Sequence, residues 1–362
     1  MQLNVRARAT RPAGVTVAGM LDPILEFARE NGARPEQLRA LLQRWLKGRE
    51  LALEVRGFPA SKRLLAALPE LRQRLDALAS VRSEHPSSDG ATRLLIALAD
   101  GASVEAVLLA RAGLCISTQV GCAVGCVFCK TGEGGLLRQV TSAEMLAQVA
   151  LARARAEVRR VVLMGMGEPA HNLEHVLAAL RYLGTEGGLA HKHLVFSTVG
   201  EREAIAALRT HAVRPALALS LHTTRAQLRR ELLPRAPRLE PREVLELALE
   251  YADAITWPLQ VQWTLLEGVN DGDEELHTLA EWLAGRRAMV NFIPWNRVDG
   301  FDFARPAEER GKAMVAHLRT RGVIATLRTS GAQDVEGACG QLRARSTPLR
   351  RRVAGEVRAE TS

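Results

Sequence analysis

The stretch GCAVGCVFCKTG, residues 121–132, sets Cys122, Cys126 and Cys129 at gaps of three and two residues, and its reading decides what the surrounding chain must build. Thiols so closely spaced converge from one tight loop. Structural zinc normally asks for a fourth Cys or His, often from a second paired knuckle; no second CxxC occurs in this sequence. An iron–sulfur cube normally takes four cysteines, one per iron. With three, one iron lacks a protein ligand and can take a small molecule instead. Cys115 and Cys339, the other cysteines of the chain, need a separate explanation.

Outward from this loop, short apolar or β-branched runs alternate with helical stretches. Strands are predicted at LCIST, RRVVLMG, HLVFST, PALALSL, LQVQWTLL, AMVNFI and VIATLRT, and helices at roughly 141–158, 172–184, 201–210, 240–254, 273–285 and 307–321. Repeated βα alternation implies a parallel sheet with helices outside, as a barrel or a doubly wound sheet. Small and polar residues follow the strands: the cysteine loop, then MGMGEP, STVG, SLHT, PWN and finally EGACGQL. Parallel α/β barrels build their active sites at those C-terminal strand ends. Upstream, residues from about 15 to 80 carry Leu and Ala at helical steps. HPSSDG is a turn cluster, and TRLLIALAD and SVEAVLLA read as a hairpin leading into the main domain.

Composition narrows the class. A chain of 362 residues with 47% hydrophobic and 25% charged residues is ordinary for a soluble globular protein. No apolar run is long enough to span a bilayer, and the N-terminus has arginines but no apolar h-region. A cytoplasmic location is expected, and few, clustered cysteines suit a reducing compartment. The net charge of +9 is concentrated at the ends: residues 1–20 carry three Arg and no acid, and residues 343–362 carry six Arg against two Glu. Such arms attract polyphosphate without reading sequence; solvated tails with no ligand are the plainer alternative.

The CxxxCxxC spacing resembles that of the radical S-adenosylmethionine (SAM) superfamily, in which the amine and carboxylate of SAM chelate the unique iron. Electron transfer from a [4Fe-4S] cluster on Cys122, Cys126 and Cys129 then cleaves SAM to a 5′-deoxyadenosyl radical. In such a site Phe128 is expected beside the cluster. Further motifs, SSDG, VEAV, CISTQVGCAVGCVFC, VLMGMGEP, LALSLH, EGVNDG, NFIPWN and ACGQL, occur in one order over about residues 85–345. Together they resemble the RlmN/Cfr type of ribosomal RNA adenine methyltransferase.

That resemblance implies a partial (β/α)6-type radical SAM barrel over residues 85–345, ending in a catalytic-Cys segment. A small helical accessory domain would occupy 15–84, with a disordered basic arm at 1–14 and a basic tail at 346–362. It implies two SAM molecules per turnover: one methylates Cys339, the other yields the radical that activates the S-methyl group for attack on adenine carbon 2 or 8. Glu105 matches the proton acceptor, and Cys115 the thiol that resolves the protein–RNA link through a transient disulfide. Gly167, Glu168, Ser197, Ser220, Leu221, His222 and Asn296 match SAM-contacting positions. Trp263 and Trp295 have rings that stack bases or fill the core. The expected partners are RNA, ribosomal before transfer RNA, and an electron donor such as flavodoxin or ferredoxin, with no membrane.

The sequence departs from the family pattern at a few places. The segment RTSGAQDVEGACGQL lacks a second Arg and has Gly337 where an Ala is usual, Lys130 replaces a small residue, and Ala33 replaces an aromatic. These departures bear on the RNA substrate rather than the radical chemistry. Radical SAM chemistry of another kind, or on another RNA, is the competing reading. A non-enzymatic RNA-binding protein with a structural metal is a third.

Overall fold

The computed structural model describes residues 21–343; the arm expected at 1–14 and the tail at 346–362 lie outside them. Helix α1 (Leu21–Glu30), α2 (Pro35–Leu46) and α3 (Lys62–Asp76) come first. In α2, Leu38, Leu41, Leu42, Trp45 and Leu46 recur at helical spacing and are all buried. Ser61 caps α3 by accepting from the Leu64 amide at 3.1 Å, which satisfies one of the orphan donors of that first turn.

Three antiparallel neighbours open the sheet: β1 (Ala79–Pro86), β2 (Thr92–Leu98) and β3 (Ser103–Leu109). The predicted hairpin is β2–β3, with Leu95 opposite Glu105. β1 falls outside the predicted strands. Its sequence, ASVRSEHP, is mostly polar because it is the sheet's edge, half of it facing solvent. β4 (Gly113–Cys115) follows, then a separate hairpin of β5 (Gln119–Gly121) and β6 (Leu136–Gln139) with the one-turn α4 (Lys130–Glu133) between them.

From there the alternation is as predicted: α5 (Ser142–Arg153), β7 (Arg160–Leu163), α6 (Leu173–Gly184), β8 (Leu194–Thr198), α7 (Arg202–Thr210) and β9 (Ala216–Ser220). α8 (Ala226–Leu232), α9 (Pro241–Ile255), β10 (Leu259–Leu265), α10 (Asp273–Leu283), β11 (Ala288–Pro294), α11 (Glu308–Thr320) and β12 (Ile324–Leu327) complete it. Short α8 was not anticipated. The ten-stranded sheet runs β1-β2-β3-β4-β7-β8-β9-β10-β11-β12, parallel from β4 onward. Six crossovers link β4 to β12 in sequence order, so all their C-terminal ends meet at one edge. This is the expected radical SAM architecture, with β1 and β12 as the two edges of the sheet. Its centre is filled by Phe196, Tyr251, Trp263 and Phe292, all fully buried.

Candidate active site

The cysteine loop leaves β5 through Gly121, whose φ is +80° and whose absent Cβ would lie 2.0 Å from the Gly135 carbonyl. Only glycine allows the β5–β6 hairpin to close so tightly. The Cys122 amide donates to that carbonyl at 3.0 Å, and the Cys129 amide to the Cys126 carbonyl at 3.1 Å. Trp295 Nε1 donates to the Phe128 carbonyl at 3.1 Å, while the Phe128 ring stands edge-on to His222, centroids 5.1 Å apart. Val124, Phe128, Val199, Leu232, Leu233, Leu266, Trp295 and Val298 pack around Cys122 in an apolar cradle.

In that dry setting, burial is the main force holding the thiols protonated. It pushes Cys122 up to about 12 and Cys126 well above its ordinary value, and it raises Cys129 against the lowering effect of the Thr131 and Gly132 amides. Among the described residues no three His, Cys, Asp or Glu side chains gather closely enough for a single metal ion. The three cysteines instead line one wall of a shared pocket. Three soft thiols in an apolar cradle fit a cube held by three protein ligands, which leaves one iron open.

The pocket has a cavity volume of about 150 Å³ and a mouth open to solvent. Besides the cysteines it is lined by Gly167, Glu168, Ser197, Ser220, His222 and Asn296, which the strand ends bring together as expected. Leu221 does not reach it. Its side chain is fully buried, and its amide donates to the Gln262 carbonyl at 3.2 Å. Gln262 and Thr264 of β10 line the pocket too. Buried Gln262 Oε1 and Asn296 Oδ1 have no partner within the protein. An unpaired buried acceptor costs about 1–3 kcal/mol, so both oxygens suit the N–H groups of a bound molecule.

Glycines in MGMGEP serve the protein's own packing. A Cβ on Gly165 would meet the Ile116 carbonyl at 2.6 Å, and one on Gly167 would meet Gln119 Cβ at 2.6 Å. Gly165 and Gly167 also line the pocket. Glu168 also looks partly inward: it accepts from the Ala170 and Val199 amides, each at 3.1 Å. Burial is the largest influence on its carboxyl and raises it to about 7 despite those donors. His222 takes a left-handed φ of +63°, and its Nδ1 accepts from the Thr264 amide at 2.9 Å. The ring is therefore the Nε2–H tautomer. Burial, reinforced by the charge of Arg229, lowers its pKa to about 3.

Cys339 reaches the same pocket from the C-terminal segment. That segment is strapped down rather than loose. Asp334 accepts from Ser87 Oγ at 2.5 Å and the Ser88 amide at 2.9 Å, and Asp89 accepts from the Ala332 amide at 3.0 Å. Asn296 Nδ2 donates to the Cys339 carbonyl at 3.0 Å, and Thr131 Oγ1 to the Leu342 carbonyl at 2.7 Å. The SSDG turn is thus an anchor for the Cys339 loop. Gly337 belongs to the strap: a Cβ there would press on Ala332 Cβ at 2.8 Å.

Cys115 ends β4 and is buried; it does not line the pocket, yet a charge on Cys339 is felt there as well as at Cys129. Burial above all, then Cys339, raises the Cys115 thiol far above its ordinary value. Both cysteines are free thiols. Glu105 lies away from the pocket wall at 0% exposure, in an ion pair with Arg93, and its second oxygen accepts from the Arg343 amide at 2.9 Å. Arg93 Nε in turn donates to the Val335 carbonyl at 2.5 Å. Trp263 is core, its Nε1 bonded to the Asn270 carbonyl at 3.2 Å. Lys130 leans away, pairing with Glu133 at 2.7 Å and lying over the Phe301 ring.

Several site residues escaped the sequence reading. Gln262 had a signal, a polar side chain inside the apolar run LQVQWTLL. Arg93, Asp334 and Arg229 had none, because each acquires its meaning from a partner far along the chain.

The Radical SAM superfamily model matches residues 116–282, the span that holds the cysteine loop and most strand ends. A probable RNA methyltransferase of Methylibium petroleiphilum is 55% identical over 90% of this chain and 93% of its own. Another, from Aromatoleum aromaticum, is 57% identical over 90% of this chain and 92% of its own. The crystal structure of a radical SAM methyltransferase from Sphaerobacter thermophilus superposes with a TM-score of 0.76 at 32% identity, covering 92% of this chain and 99% of that one. The chain belongs to the radical SAM superfamily, within the family of these methyltransferases.

Proposed function

We propose that this protein methylates an adenine carbon of RNA, at position 2 or 8, through an S-methyl group carried on Cys339. One observation carries the reading. A strapped loop holds Cys339 in the pocket that the three cluster cysteines line, close enough to act electrostatically on buried Cys115. The assignment of a SAM-dependent methyltransferase rests on the family; the carrier cysteine, the adenine carbon and ribosomal RNA as substrate are the finer reading.

When bound, a [4Fe-4S] cluster on Cys122, Cys126 and Cys129 together with SAM supplies a hydrogen-abstracting carbon radical. Ser197, Ser220, Gln262 and Asn296 offer hydroxyl and amide groups to SAM, and His222 offers Nε2–H. Two SAM molecules are used in turn, one as methyl donor to the Cys339 sulfur. The activated S-methyl carbon bonds to adenine, one electron passes to an external one-electron acceptor, and Glu105, once its bonds to Arg93 and the Arg343 amide give way, takes the proton from the attacked carbon. Cys115 then attacks the Cys339 sulfur. The sulfur–carbon pair passes to the methylene carbon, which takes a proton to become the methyl group, and the two cysteines are left as a disulfide for an external thiol to reduce. A low-potential flavodoxin or ferredoxin supplies the cluster's electron. The arginine-rich ends favour RNA by charge, and such RNA is met in the cytoplasm.

The test is nucleoside mass spectrometry of ribosomal and transfer RNA after anaerobic reaction with methyl-labelled SAM. Label in 2-methyl- or 8-methyladenosine, absent with Cys339→Ala and trapped as a protein–RNA crosslink with Cys115→Ala, is the expected result. Full product from Cys339→Ala would overturn the carrier role.

A further inference from the structure

Arg229, on α8, is 3% exposed. Its Nη2 donates to the Val199 carbonyl at 2.6 Å and the Ser220 carbonyl at 3.3 Å, both beyond or at the ends of pocket-lining strands. Its Nε–H is buried with no partner. Among the described residues no carboxylate pairs with it. A buried cation without an anion is costly, several kcal/mol per ion even after relaxation, and such charges are ordinarily paired or turned toward a ligand.

The group that answers this charge is on the cysteine loop. The C-terminal end of α8 is joined to that loop, the Val127 amide donating to the Leu232 carbonyl at 3.1 Å and the Arg235 amide to the Val124 carbonyl at 3.3 Å. Leu228, Leu232 and Leu233 pack in the same cradle as Cys122, Cys126 and Cys129. A thiolate at Cys126 would act on the guanidinium, and the guanidinium adds to the burial that keeps His222 neutral.

We propose that Arg229 is the fixed counter-charge of the iron–sulfur centre, setting its reduction potential without touching SAM or substrate. The inference rests on the cluster reading above. Three thiolates make the centre net negative, and one electron from an external one-electron reductant adds one further negative charge to it. A buried positive charge with no carboxylate to cancel it stabilises the reduced form more than the oxidised form, in a cradle where water screens little. Removing the charge makes the centre harder to reduce.

The experiment compares the anaerobically reconstituted full chain with Arg229→Gln and Arg229→Lys. Iron and sulfide content comes first, then an EPR-monitored redox titration with dithionite. The expected result is that R229Q loads iron and sulfide as the wild type does, while its reduced-to-oxidised ratio at a fixed poise falls about tenfold, about 59 mV for one electron. R229K, which keeps the charge, should stay near the wild type. A potential unchanged in R229Q, or lowered equally in R229K, overturns the proposal. So does an R229Q chain that fails to fold even without iron, since the guanidinium would then be a structural brace. A wild-type chain that binds no cube at all refutes the cluster reading instead.

Discussion

The amide of Lys130, one residue past Cys129, donates to the carbonyl of Gly340, one residue past Cys339, at 2.7 Å. Two loops more than two hundred residues apart are therefore one hydrogen-bonded unit, and Thr131 adds a second bond to the Leu342 carbonyl at 2.7 Å. Anything that orders the cysteine loop should order the Cys339 loop with it.

Thr131→Val keeps the shape and removes that second bond, leaving the Leu342 carbonyl without its donor. An unmade buried hydrogen bond costs about 1–3 kcal/mol, here confined to the strap. Trypsin cleavage after Arg343 should speed up about tenfold or more, while the midpoint of thermal unfolding moves by a few degrees at most. A drop in global stability with unchanged local cleavage would show that Thr131 braces the fold instead.

Asp334 accepts from Ser87 and Ser88, and those bonds hold its carboxyl down to about 2. It stays charged at any working pH, so the anchor does not switch. Asp334→Ala should let the loop drift, and misplacement by about 1 Å can cost about a hundredfold in rate. The expected signature is methylated RNA reduced about ten- to a hundredfold with SAM cleavage continuing, read as deoxyadenosine formed per methyl transferred. Equal loss of both products would place the defect at SAM instead.

Glu168 offers a pH test. Its folded pKa is about 7 against an ordinary 4.5, so between those values the folded chain keeps a proton that the unfolded chain has lost. Stability from this group is greatest below 4.5, falls as pH rises to about 7, and is flat beyond; the change is about 3 kcal/mol. Glu168→Gln cannot titrate. Melting curves of the iron-free chain should show the wild type losing ground to the variant from pH 4.5 to 7. Parallel curves would mean that the carboxyl is not protonated by burial.

His222 has the opposite slope. Its folded pKa of about 3 lies below the ordinary 6.5, so as pH falls through 6.5 the unfolded chain takes up a proton that the folded chain refuses. Stability is lost progressively from 6.5 toward 3. Asn tolerates the left-handed backbone found there, and His222→Asn should therefore flatten the acid limb. Carbon-13 shifts of the ring, expected constant from pH 8 to 4.5, give a direct check. The two windows overlap, which is why each variant is compared with the wild type separately.

The parallel strands and their helices were legible because periodicity is local. LVFST and LALS read as buried strands from their own residues, and the cysteine loop follows its strand directly in sequence. β1 was not legible, since an edge strand needs few apolar residues. The β5–β6 hairpin was not legible either: what closes it is the missing Cβ of Gly121 against Gly135, a fit between two backbones.

The sequence by itself determined the close spacing of the three loop cysteines, the succession of strands and helices, and which residues lie at strand ends, because spacing and period belong to neighbours along the chain. Only the tertiary structure decided which of those residues share a wall and which are tied elsewhere. It turned Glu105 toward Arg93 and away from the pocket wall, bonded Glu168 to backbone amides, and seated Cys339 with bonds from Asn296, Lys130 and Thr131. It also buried Arg229 beside the cysteine loop. The bonds to Glu105 and Glu168 satisfy charged groups in a dry interior, and the partner that does so is chosen by packing.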